Sequence, residues 1–179
     1  MTTGHVFIAV SLDGYIARPD GAIDWLEGWP DVGHDYGFAA FMESVDGLVM
    51  GRSTFEQALR FSDWPYTKPV IVLSRTMTDA DVPSALAGRV RVSDKAPREV
   101  MNELSHDGWQ RAYIDGGRVI QSFLREGLID DLVITRLPVV IGSGLPLFGE
   151  VTGDVRLAHI STSAFASGFV QSCYRASAA

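Results

Sequence analysis

Leu48-Val49-Met50-Gly51-Arg52-Ser53-Thr54-Phe55-Glu56 and Tyr113-Ile114-Asp115-Gly116-Gly117-Arg118-Val119-Ile120 follow one pattern. In each, a short aliphatic run reads as a buried strand, glycine lets the backbone turn, and a helix starts at once. A helix start offers free N–H groups and the positive end of the dipole, which suits phosphate. Two such turns suit a dinucleotide diphosphate lying across a sheet. Neither matches G-x-G-x-x-G, which disfavours an ordinary Rossmann reading.

The other strands and helices arrange themselves around these two units. Val6–Val10 and Pro69–Leu73 read as buried strands, and Arg89–Ser93 as a shorter one. Ser11–Pro30 reads as a long loop pinned by Trp25 and Trp29, of the length that serves as a functional loop or lid. Apolar residues at Phe38, Phe41, Met42 and Val45 give Asp35–Val45 helical spacing. Phe55, Ala58 and Leu59 share one face of the next helix. Pro97–Ser105 reads as a helix with proline in its first turn. Val119, Ile120, Phe123 and Leu124 mark another, stopped at Gly127. Leu132–Val140 is strand-like, and the tail alternates at Val155–Ile160 and Phe169–Tyr174 as an antiparallel pair would. Strands alternating with helices predict an α/β fold with a mostly parallel sheet and an antiparallel C-terminal finish. No repeat or linker divides residues 1–179, so one domain is expected.

Composition narrows the function. A net charge of −7 argues against a general nucleic-acid or anionic-membrane binder. The single cysteine, Cys173, cannot form an internal disulfide and fits a reducing cytoplasm. No apolar run reaches transmembrane length, and Val6–Val10 is too short for a secretory core. His5, His34, His106 and His159 are scattered without a zinc spacing, so no metal is expected. There is no G-x-S-x-G elbow and no P-loop.

The motifs Val49–Glu56, Val72-Leu73-Ser74-Arg75 and Gly116-Gly117-Arg118-Val119 occur in the order and spacing of dihydrofolate reductases. The runs Phe123–Leu132 and Pro138–Gly149 look more like a cousin of those enzymes. That cousin is the C-terminal reductase domain of the riboflavin-biosynthesis deaminase-reductase, with its stand-alone relatives. The resemblance spans nearly the whole chain. It implies a dihydrofolate-reductase-like three-layer αβα fold and an NADPH-dependent oxidoreductase. The substrate would be a small pteridine-like or aminopyrimidine molecule, as for 5-amino-6-(5-phosphoribosylamino)uracil reductase. A true dihydrofolate reductase and a nucleotide-binding protein of this fold without turnover are the alternatives. The deaminase zinc signature, H-x-E with P-C-x-x-C, is absent, so the deaminase step is not expected of this chain.

The resemblance also assigns residues. Gly51, Arg52, Ser53 and Thr54 would hold cofactor phosphate, although a tight turn and a helix cap explain Gly51 and Thr54 as well. Leu73, Ser74 and Arg75 fall where the family binds the adenosine 2′-phosphate, and a guanidinium fork favours NADPH over NADH. Gly116, Gly117, Arg118, Val119 and Ile120 form the second cofactor turn, the glycines permitting close backbone approach. Ala9 and Ile16 fall where the family lines the nicotinamide pocket; ordinary core packing is the competing reading. On the catalytic side, Asp35 matches the spacing of the substrate-binding carboxylate, or else stabilises a helix N-terminus. Thr135 falls where a family threonine bonds that acid and the substrate, and Trp25 near the active-site tryptophan. Asp13, Asp24 and Asp115 are the other acids to consider. Asp115 replaces a glycine usual in dihydrofolate reductases, and Lys68 stands near the arginine that holds the folate tail. The riboflavin-type relatives pair through their C-terminal sheet region, so a homodimer is expected.

Overall fold

A computed structural model describes residues 1–29, 34–151 and 153–176. The strands and helices run β1 (Thr3–Val10), β2 (Tyr15–Ala17), α1 (Phe38–Ser44), β3 (Gly47–Gly51), α2 (Arg52–Ala58), β4 (Val70–Leu73) and β5 (Val90–Ser93). They continue α3 (Pro97–His106), β6 (Arg111–Asp115), α4 (Gly117–Arg125), β7 (Ile129–Arg136), β8 (Leu145–Pro146), β9 (Leu157–Ala164) and β10 (Val170–Ala176). Eight strands form one sheet in the order β5-β4-β3-β6-β1-β7-β10-β9. The pairs from β5 through to β7 are parallel, and β10 runs antiparallel to both β7 and β9. This is the expected three-layer fold with an antiparallel finish.

The central strands are apolar throughout because both sheet faces are covered. Alternate residues then serve different layers. Val49, Ile71, Ile114, Leu132 and Ile134 pack with Val100, Met101 and Leu104 of α3 and with Val119, Ile120 and Phe123 of α4. Leu48, Met50, Val70, Val72 and Tyr113 pack on the other side with Phe41 and Val45 around α1 and with Phe55 of α2. Leu59, expected on that face, is 41% exposed: it follows the end of α2, where the helical stripe no longer applies. The stop at Gly127 is a Schellman closure, with Gly127 N–H on the Leu124 carbonyl (3.1 Å) and Leu128 N–H on that of Phe123 (2.9 Å).

Several boundaries differ from the sequence reading. β7 ends at Arg136 rather than continuing to residue 140, since Pro138 lacks the donor a ladder needs. β9 starts at Leu157 and runs to Ala164, later than the alternation suggested. The helix expected from Asp35 begins at Phe38, after a turn. The loop that follows β1 is also more ordered than expected. β2 pairs with β8, Leu12 N–H donates to the Val139 carbonyl (2.7 Å) and Leu147 N–H to that of Gly14 (3.1 Å). The Asp13 carboxylate accepts from Gly142 N–H (2.8 Å) and Ile141 N–H (3.3 Å). Pro30 to Gly33, at the end of that loop, lie outside the described residues.

Candidate active site

The two glycine turns meet at the C-terminal ends of β3 and β6, which are neighbours in the sheet. A β-carbon at Gly116 would run into Thr54 Oγ1, and Gly116 has φ 89°. One at Gly51 would lie 3.2 Å from Val119 Cγ2. One at Gly117 would lie 2.9 Å from Ile16 Cδ1 and 3.1 Å from the Pro146 carbonyl. The structure thus packs Gly51 on Val119, Gly116 on Thr54 and Gly117 on Ile16, the glycine backbones forming one cradle with no room for an unshifted β-carbon. Ile120 is fully buried in the core.

Polar groups flank this cradle. Arg52 and Ser53 are exposed at the start of α2, and Arg118 near the start of α4. Arg52 pairs with Glu56 (2.6 Å) and donates to Thr76 Oγ1 (3.1 Å), so it leans over the end of β4. There, beyond Leu73, Ser74 Oγ accepts from the Thr76 and Met77 N–H groups at 3.2 and 3.1 Å. Arg75 is exposed beside them and has no hydrogen bond among the described residues. A glycine cradle with exposed guanidinium and hydroxyl groups fits a bound dinucleotide phosphate.

The catalytic candidates separate. Asp35 is exposed and spends both carboxylate oxygens on its own turn, accepting from Gly37 N–H (3.0 Å) and Ala39 N–H (2.9 Å). These bonds hold its carboxyl below the usual range. Thr135 is buried on β7, between Ala9 of β1 and Gln171 of β10 in register. Its link to the residue 35–36 turn runs through Gln171, whose Nε2 donates to both Thr135 Oγ1 and the Tyr36 carbonyl at 2.9 Å each. Trp25 is buried against Leu137 and Phe169, and its Nε1–H has no acceptor among the described residues.

Asp115 is the acid that adjoins the glycine turns. It ends β6, and its own Gly116 N–H donates to it at 2.8 Å. Burial pushes its carboxyl up to about 6, against the opposing effect of Gly116 N–H and the Tyr113 and Tyr66 hydroxyls. Both phenols are themselves pushed up, first by burial and then by the Asp115 charge. Tyr113 donates to the Phe7 carbonyl (2.8 Å), tying β6 to β1 beside it. A carboxyl near 6 can hold and release a proton around neutral pH. Period-two alternation and the strand registers place Tyr113, Asp115, Phe7, Ala9, Thr135 and Gln171 on one sheet face. Strand spacing and rise put the Asp115 and Thr135 α-carbons roughly 12 Å apart, with Phe7 and Ala9 between them.

The opposite end of the sheet carries a separate polar cluster. His5, fully buried, bonds Asp131 through Nδ1 and Thr3 Oγ1 through Nε2, both at 2.8 Å. With Asp130 it gathers potential metal-ligating atoms. Both ring nitrogens are occupied, however, and the Arg111 guanidinium lies 3.8 Å from Asp131.

Comparison with known proteins shows the family. Residues 3–171 match the RibD C-terminal domain family, and the chain belongs to it. It is 35% identical over 162 residues to the Bacillus subtilis (strain 168) protein YwjB, covering 89% of this chain and 90% of that one. A Shewanella sp. PV-4 structure, described as a candidate riboflavin biosynthesis protein, superposes with a TM-score of 0.93 at 44% identity, covering 99% of this chain and all of that one. The Thermotoga maritima diaminohydroxyphosphoribosylaminopyrimidine deaminase/5-amino-6-(5-phosphoribosylamino)uracil reductase shares the fold, with a TM-score of 0.76 at 14% identity. That match covers 98% of this chain and 57% of the bifunctional one. Among the described residues no helix is long and apolar enough to cross a membrane.

Proposed function

We propose that this protein is an NADPH-dependent reductase acting on a pteridine-like or aminopyrimidine substrate, of the kind represented by 5-amino-6-(5-phosphoribosylamino)uracil. The supporting observation is the pairing of a glycine cradle at the ends of β3 and β6 with a half-buried carboxyl, Asp115, beside it. Gly51, Arg52, Ser53 and Thr54 hold phosphate, with Gly116, Gly117, Arg118 and Val119 opposite. Ser74 and Arg75 take the 2′-phosphate, with Arg52 leaning over them. Ala9 and Ile16 flank the nicotinamide side. A bound nicotinamide supplies the hydride. Asp115 holds a proton near the substrate, and Thr135 hydrogen-bonds it from across the cleft. This geometry favours Asp115 over Asp35, whose oxygens are committed to the start of α1.

We place the protein in the cytoplasm as a homodimer. β9 is exposed along nearly its whole length, and Phe148, Ile160 and Val170 are 49%, 55% and 37% exposed near it. Such a bare edge with apolar neighbours fits a second copy better than solvent.

The test is NADPH oxidation by purified protein across dihydrofolate, other pterins and the deaminated ribosylaminopyrimidine. Turnover with the ribosylaminopyrimidine is expected. Turnover with dihydrofolate alone would make the protein a dihydrofolate reductase. Tight NADPH binding with no oxidation by any substrate would overturn the enzymatic reading.

A further inference from the structure

We propose that Gln171 is a positioning residue of this site, fixing the direction in which Thr135 offers its hydroxyl proton; the assignment rests on the reductase reading above. A backbone carbonyl can only accept, so the Gln171 atom 2.9 Å from the Tyr36 carbonyl is the amide nitrogen. That nitrogen has a second hydrogen, directed to Thr135 Oγ1 at 2.9 Å. Thr135 therefore accepts from Gln171 and keeps its own proton for another partner. Among the described residues no acceptor takes it, although Thr135 is only 5% exposed. A buried donor without an acceptor is costly, and a ligand acceptor relieves that cost.

The other end of the amide is equally fixed. Tyr36 and Gly37 have φ 54° and 85°, and Phe38 N–H closes on the Asp35 carbonyl at 3.0 Å, as in a type I′ turn. A non-glycine residue keeps such a backbone only where its surroundings hold it. Tyr36 is held by its hydroxyl on Ser167 (3.2 Å) and its ring against Phe165 and Phe169. The Tyr36 carbonyl thus orients Gln171, and Gln171 orients Thr135. Next to Thr135, Ala9 contributes only a methyl group and is partly exposed. The site then selects a ligand with a carbonyl oxygen or unprotonated ring nitrogen at this point and rejects one presenting N–H there.

The experiment measures binding of diaminouracil, a carbonyl-bearing ring, to the NADPH-saturated protein by calorimetry. Gln171→Leu and Thr135→Val should each weaken it by about tenfold, and the double variant should lose no more than Thr135→Val alone. NADPH affinity should not change. Gln171→Glu keeps the shape. As a carboxylate it can only accept, so it should take the Thr135 proton and bind poorly. Its affinity relative to wild type should recover as pH falls and the new carboxyl regains a donor. Unchanged binding in Gln171→Leu, additive losses in the double variant, or a Gln171→Glu ratio flat with pH would each overturn the assignment. Wild type that binds no diaminouracil would instead overturn the reductase reading, and this assignment with it.

Discussion

Gly116 and Thr54 touch without room for a β-carbon between them, and this contact joins the two glycine turns. Gly116→Ala meets two separate obstacles, the Thr54 hydroxyl and a φ of 89° that an alanine rarely adopts. It should destabilise the fold by about 1–3 kcal/mol and weaken NADPH binding. Adding Thr54→Ala removes the near oxygen but not the strained backbone. The double variant should therefore recover part of the stability in urea unfolding; full recovery or none would contradict the contact.

Asp115 carries a pH signature with a definite sign. Its folded value, about 6, lies above that of an unfolded aspartate, roughly 3.9. Between those values the native state holds more protons than the unfolded one, so this group's contribution to stability falls as pH rises through the window. The loss amounts to roughly 2–3 kcal/mol and is complete above the folded value. Asp115→Asn should abolish it, making the variant more stable than wild type at neutral pH and not in acid. Urea midpoints of the two proteins across that range measure the difference.

The same substitution tests chemistry. Asp115→Asn should lower turnover by about 10²-fold or more while NADPH still binds. Asp35→Asn should leave turnover close to wild type and lower the unfolding midpoint, because a neutral amide caps α1 less well than a carboxylate. The reverse pattern in steady-state kinetics would return the acid role to Asp35.

Cofactor choice follows from the exposed guanidinium beside Ser74. Arg75→Ala should weaken NADPH by about 1.5–3 kcal/mol and leave NADH nearly untouched. Equal losses for both cofactors in fluorescence titrations would remove Arg75 from the 2′-phosphate.

Light scattering decides assembly. The wild type should scatter as two chains at micromolar concentration, and Ile160→Asp should shift it toward one, since Ile160 is exposed on the edge strand. A single-chain mass at every concentration would rule out the stable dimer.

Most of the parallel sheet was legible in the sequence because a strand buried on both faces reads as an unbroken aliphatic run, as in Leu48-Val49-Met50 and Val70-Ile71-Val72. The glycine turns were legible for a related reason: little else can sit between such a strand and a helix. β2 and β8 were not, since segments of three and two residues have no measurable period. Asp115 was visible as a residue out of place in its motif, but its elevated carboxyl comes from burial, which only the fold imposes on it. Gln171 gave no local sign. A glutamine in an alternating tail strand looks ordinary until the β7–β10 register sets it opposite Thr135.

The small β2–β8 sheet bears on how a substrate enters. Ile16 and the Pro146 carbonyl both rest on Gly117, and the Asp13 carboxylate holds the backbone at Ile141 and Gly142. The segment from Ser11 to Ala17 is therefore stitched to the 139–147 run at several points, and through Gly117 to the start of α4. It is a fixed wall and not a flap. Swinging it outward would break the sheet and unseat the second glycine turn together, so a substrate would not enter by opening this segment.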